Sequence, residues 1–139
     1  MKLNKPLLPN ITNEIFKDLN NDELTSDDYL KLYSIFGEIF TRALELLDKA
    51  TFTLLSTQDG LRRCVRVETN STQMYHLYLN VNYCSCQAFK YQVLTSAQDL
   101  TCKHVLAVKL AVMLNKCAQQ TLTSKQIMDI MKMSMFTDD

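Results

Sequence analysis

Two short pairs of metal-capable side chains constrain this chain more than any other feature. Cys84-Ser85-Cys86 is followed, after fifteen residues, by Cys102-Lys103-His104. Four of the seven cysteines and histidines of the chain fall in these two pairs. Three thiols and one imidazole make up the tetrahedral N/S shell that structural zinc prefers. Zinc–sulfur bonds of about 2.3 Å put neighbouring sulfurs on the order of 3.8 Å apart. In a strand, residues i and i+2 face the same side. Cys84 and Cys86 are therefore expected where a strand's continuation curls over. On a helix i and i+2 do not share a face. Cys102 should thus lie in the turn entering a helix and His104 in its first turn, where unpaired N–H groups and the positive dipole end favour thiolates. Thr101 or Asp99 is available to cap that helix.

A shell filled by Cys84, Cys86, Cys102 and His104 leaves no open position for water, which points to one structural Zn2+ and away from catalytic zinc. The metalloprotease pattern H-E-x-x-H and the deaminase pattern H-x-E with P-C-x-x-C are absent. With the histidine of the motif committed to metal, no Cys–His nucleophile pair remains, and no enzyme activity is expected. Cys64, Cys117 and His76 lack ligand-spaced partners and are expected at core or surface positions. The two glycines, Gly37 and Gly60, are too few and too far apart for a P-loop or a G-x-G-x-x-G turn.

The 139 residues carry fifteen basic and fifteen acidic side chains, so the net charge is zero. The balance is uneven: residues 1–50 sum to −3, residues 51–120 to +4 and residues 121–139 to −1. A strongly basic nucleic-acid binder is excluded as the whole account. The cations that could touch phosphate are Arg62, Arg63, Arg66, Lys90 and Lys103. No apolar run is long enough for a signal peptide or a bilayer span, so an intracellular chain with reduced thiols is expected.

The remaining patterns place these residues on elements. Ile11, Ile15, Phe16 and Leu19 have helical spacing. Thr25-Ser26-Asp27-Asp28 reads as a helix cap, and the run from Tyr29 through Leu47 as long helix, ended or bent at Gly37. Residues 51–79 read as three strands, with Gln58-Asp59-Gly60 and Asn70-Ser71-Thr72 as turns. Lys103 to Cys117 reads as an almost wholly apolar helix. Thr123-Ser124-Lys125-Gln126 resembles a capping box ahead of a short helix rich in Met128, Met131, Met133 and Met135. The expected architecture is α+β in a single domain over 1–139. A helical part spans 11–49, a three-stranded antiparallel meander with the finger (84–104) spans 51–117, and a C-terminal helix spans 124–135. The apolar excess on the helix at 103–117, and on Tyr29, Leu30, Tyr33, Phe36 and Phe40, suits burial or a partner.

The pattern C-x-C, spacer, C-x-H resembles the SWIM zinc finger. Tyr83-Cys84-Ser85-Cys86-Gln87-Ala88-Phe89 and Cys102-Lys103-His104-Val105-Leu106-Ala107-Val108 are similar to the SWIM subunits of Shu complexes, with Ala107 matching that group's extended motif. Phe36-Gly37 and Arg42-Ala43-Leu44-Glu45-Leu46-Leu47-Asp48 follow in the same order, and the likeness covers most of residues 25–132. Gln87 departs from the pattern, at a position where relatives often carry proline. The resemblance implies a nuclear adaptor in homologous recombination. Such an adaptor forms a heterodimer with a RecA-like recombinase paralogue. It helps the strand-exchange recombinase assemble on single-stranded DNA, which it reaches through the complex. A direct nucleic-acid-binding finger is the competing reading, and a ubiquitin-pathway module has no support beyond the finger itself.

Overall fold

A computed structural model describes Phe16 and residues 23–70, 73–79, 81–96 and 99–136. The helix expected over 11–20 lies outside the described residues apart from Phe16, which packs partly buried against the core.

Helix α1 (Ser26–Phe36) starts in a reciprocal cap. The Asp28 N–H donates to the Thr25 hydroxyl at 3.2 Å, and the Thr25 N–H donates to the Asp28 carboxylate at 2.9 Å. Gly37 ends α1 rather than bending it. Its φ of 64° and ψ of −137° lie where only glycine is comfortable, and its N–H closes onto the Tyr33 carbonyl at 2.8 Å. Helix α2 (Glu38–Lys49) begins at once and turns Ile39, Phe40, Ala43 and Leu46 inward at helical spacing.

Strands β1 (Thr51–Thr57), β2 (Arg63–Asn70) and β3 (Gln73–Leu77) form the expected antiparallel meander. Gly60 (φ 74°) shapes the β1–β2 turn, and the Asp59 carboxylate accepts from the Thr57 hydroxyl at 2.6 Å and the Leu61 N–H at 3.0 Å. The sheet has four strands rather than three. Strand β4 (Ala118–Leu122) pairs parallel to β1, from Thr53↔Ala118 to Thr57↔Leu122, giving the order β3-β2-β1-β4. Its sequence lacks apolar alternation because it is an exposed edge held by backbone pairing.

The helix read over 103–117 is shorter: α3 spans Lys103–Met113. Asn115, at φ 57°, stops it with a paired closure in which its own N–H reaches Val112 O at 3.2 Å and the Lys116 N–H reaches Ala111 O at 2.8 Å. That reversal frees the chain to form β4. Helix α4 (Ser124–Phe136) follows a capping box, with the Gln126 N–H donating to the Thr123 hydroxyl at 3.1 Å and the Thr123 N–H to the Gln126 side chain at 2.9 Å.

The sheet is covered on both faces. Phe52, Val65, Val67 and Leu77 join α2 and α3 in the main core. Leu55 and Cys64 point the other way and are fully buried, on the side where α4 packs on β1 with its own Ile127 sealed off. The α+β class expected from the sequence holds.

Candidate metal centre

The first arm of the centre carries no regular strand. β3 ends at Leu77, and Cys84 and Cys86 lie in an irregular segment rather than on a curled continuation of the strand. Irregular backbone lets i and i+2 sulfurs converge, and the Phe89 N–H donates to the Cys86 sulfur at 3.4 Å. A wide helical turn over Phe89–Thr95, closed by the Ser96 N–H on Tyr91 O at 2.9 Å, then buries Phe89 and Val93 beneath the finger.

The second arm is built by α3. Cys102 is its N-cap residue, in extended conformation (φ −103°, ψ 169°), and His104 follows in the first turn. The helix end therefore faces the sulfurs, where its free N–H groups favour negative charge. The Tyr75 ring of β3 packs on the His104 imidazole with centroids 4.4 Å apart, fixing the ring's tilt from the sheet side.

Neither Thr101 nor Asp99 caps α3. The buried Thr101 instead donates its hydroxyl to the Asn82 side-chain oxygen at 2.6 Å, while the Asn82 amide donates to the Leu100 carbonyl at 2.9 Å. Asn82 stands two residues before Cys84, and Thr101 one residue before Cys102. This one side chain thus ties the two ligand-bearing arms together. No sequence rule pairs an asparagine with a threonine nineteen residues away, so nothing in the motif announced it.

The ligand atoms of Cys84, Cys86, Cys102 and His104 all lie within 4.8 Å of one another, and all four residues are buried. Cys102 Sγ and His104 Nδ1 are 4.0 Å apart. Three soft sulfurs and an imidazole at this spacing fit one structural zinc. Zinc bound there would offset most of the thiolate charge and cross-link the two arms. Cys102 and Cys84 donate to Cys86, with help from His104 and the Phe89 amide, and hold its thiol far below the ordinary range. Cys84 is pushed up by its hydrogen bonds to Cys102 and Cys86 and by burial. Cys102 accepts from Cys84, which pulls the other way, yet its bond to Cys86 and its burial push it up to about 12.

The remaining cysteines and histidine stay apart from this cluster, the one such group among the described residues. Cys64 is buried in the sheet's second face, where desolvation pushes its thiol up to about 11. Cys117 is half-buried against the core. His76 lies on β3 opposite Arg66.

The five candidate phosphate-contacting cations are dispersed. Arg63 and Arg66 are three apart on β2 and so face opposite sides of the sheet. Arg66 is engaged by Glu68 at 3.5 Å and Gln120 at 3.4 Å. The Arg62 guanidinium reaches the Met128 sulfur. Lys90 sits over the Tyr91 ring, 5.6 Å from its centroid, and Lys103 is exposed at the start of α3.

The SWIM zinc finger family matches residues 75–113, from the tyrosine against His104 to the last residue of α3. Across 132 residues the chain is 34% identical to human "Zinc finger SWIM domain-containing protein 7", covering 91% of this chain and 94% of that protein. This chain belongs to the zinc finger SWIM domain-containing protein 7 family. The mouse member is 32% identical over 129 residues (89% of this chain, 84% of that one), and the zebrafish member 30% identical over 129 residues (89% and 91%). No solved structure matches the chain at a significant level. The family assignment agrees with the SWIM resemblance carried by Cys84, Cys86, Cys102 and His104. The aligned residues take in the helices and sheet as well as the finger.

Proposed function

We propose that this chain is a non-enzymatic, zinc-stabilised adaptor. In this reading it is the SWIM subunit of a Shu-type nuclear complex, holds a RecA-like recombinase paralogue, and through it promotes recombinase assembly on single-stranded DNA. The observation that carries the reading is the closed, buried Cys3His cluster at the base of α3 in a chain related to zinc finger SWIM domain-containing protein 7 over nearly its full length. Those two findings together fit the Shu-type SWIM subunit. With four protein donors around one zinc, no position is left to activate water, so the metal shapes a surface rather than performing a reaction. Among the described residues no helix is long and apolar enough to cross a membrane. Helix α1 turns Tyr29, Leu30 and Tyr33 outward, more apolar surface than a lone helix needs.

The competing reading, direct nucleic-acid binding, would use Arg62, Arg63, Arg66, Lys90 and Lys103. Their scatter over both sheet faces and the finger argues against one phosphate-tracking stripe.

Purification from cells in mild salt, with zinc and co-eluting proteins quantified in one fraction, tests the proposal. One zinc per chain together with a RecA-like ATPase is the expected result. Zinc with retained nucleic acid and no such ATPase would favour the direct-binding finger. Absence of zinc would sink both.

A further inference from the structure

Helix α3 is apolar on nearly every side. One side packs on α2 and β2. Another borders a groove of about 300 Å³, walled by Leu77, Leu79, Val81, Val105, Val108 and Val112. Val81 and Val112 are 47% and 37% exposed, so the groove opens to solvent. Among the described residues its lining holds two cations, Arg63 and Lys109, and no acid.

We propose that this groove receives an apolar, acid-bearing segment of the protein partner, with Lys109 as the charged contact. The inference rests on the adaptor reading and adds to it where the partner is held and by what chemistry. Lys109 is half-buried in the groove wall and makes no ion pair among the described residues. Burial lowers its pKa, and no carboxylate among the described residues opposes the shift. An apolar segment laid over the groove would strip the ammonium of its remaining water. That cost is offset when the segment brings its own carboxylate. Charge complementarity therefore selects an occupant with an Asp or Glu beside its apolar side chains, and exposed Arg63 adds a second cation for the same acid or its neighbour. The groove also adjoins the metal centre: Val105 follows His104 directly and Val108 lies one turn beyond it. Partner affinity should thus depend on zinc through the wall of this groove.

The test is titration of the RecA-like recombinase paralogue against the full zinc-loaded chain and its Lys109→Met, Lys109→Arg and Val112→Glu variants. Zinc content and thermal midpoint are read on each free chain. Lys109→Met should raise or preserve the free chain's midpoint, since it removes a half-buried unpaired charge, yet weaken binding about thirtyfold or more, as losing one member of a buried charge pair does. Lys109→Arg should stay within about threefold of the parent because the charge is kept. Val112→Glu should weaken binding by placing a like charge beside the incoming acid. Full-strength binding by both Lys109→Met and Val112→Glu would overturn the groove while leaving the adaptor reading intact. A parent chain that does not bind the paralogue overturns both. Lys109-dependent self-association in sedimentation, without paralogue, would assign the groove to a second copy and overturn the proposal as stated.

Discussion

The β1–β2 hairpin and the finger arms are neighbours with opposite sources of order. Thr51 to Ser56 of β1 pairs residue by residue with Glu68 to Arg63 of β2, and side chains on both faces are buried. Between Leu77 and Lys103 the described residues form no strand. This stretch is held by one wide turn, the Asn82 clamp, and a buried Cys3His cluster suited to one zinc. The hairpin is ordered by backbone ladders and apolar burial, which the chain supplies by itself. The arms gather three sulfurs, whose mutual repulsion as thiolates a bound cation would relieve, and a neutral imidazole as the fourth donor. A small fold can thus divide its stability between a core that forms without help and a lobe that depends on an ion.

The largest effect expected from breaking that division is metal removal. A structural zinc shell is worth roughly 10–16 kcal/mol of apparent binding energy at neutral pH. A whole domain is stable by only about 5–15 kcal/mol. Chelation, or Cys102→Ser, should abolish amide-exchange protection over residues 84–104 and the first turn of α3. Exchange measured by mass spectrometry should show β1 and β2 keeping more of theirs. Equal loss in both regions would erase the distinction drawn above.

Leu106→Ala probes the other side of the comparison. The side chain is fully buried between the helices and the sheet. Truncation should cost about 2–5 kcal/mol in denaturant unfolding, with zinc stoichiometry retained at temperatures where the variant is folded.

Asn82→Leu sharpens the account of the arms. Its zinc affinity, read by competition with a chromophoric chelator, should fall about 10- to 100-fold, the usual range for groups that orient ligands without touching metal. Thr101→Val should act the same way, and Thr101→Ser should restore affinity. Unchanged affinity in both Asn82→Leu and Thr101→Val would mean that the metal alone sets the arms.

Gly37→Ala should cost about 1–3 kcal/mol, because alanine is strained at the backbone angles Gly37 adopts although space around it is open. The effect should appear in global unfolding and leave zinc affinity untouched.

The smallest expected effect is a pH dependence at His76. Burial, then the Arg66 charge, lower its folded pKa, with Glu68 opposing. The folded state thus disfavours the protonated ring. Its contribution is fully present above the unfolded pKa of about 6.5 and is lost as pH falls through that value toward the lower folded one. His76→Gln should flatten the slope of stability against pH just below neutrality in zinc-saturated protein.

Much of this was legible in the chain. Thr25 with Asp28, and Thr123 with Gln126, carry their caps in neighbouring residues, so local hydrogen-bonding capacity was enough. The alternation Arg63, Val65, Val67 marked a strand because a half-buried sheet needs that period. The C-x-C and C-x-H spacings named the metal set, and because i and i+2 share no helix face, Cys102 was placed in the turn entering a helix. In each case the determinant lies within a few residues, or in the chemistry of an ion.

Other features were settled only by the tertiary structure. β4 has no apolar period because its stability comes from β1's open edge, which exists only once the chain has folded back through α3. Asn115 rather than glycine closes that helix, a choice local preference alone does not single out. Thr101 stands one residue before the N-cap Cys102, and its hydroxyl donates instead to Asn82, brought beside it by the crossover. The groove beside Lys109 takes one wall from α3 and another from the chain beyond β3, so neither segment alone reports it. Side chains that act on near neighbours are written in the sequence. Those that act across the fold acquire their partners only when distant backbone arrives, and those contacts carry the clamp, the fourth strand and the proposed docking surface.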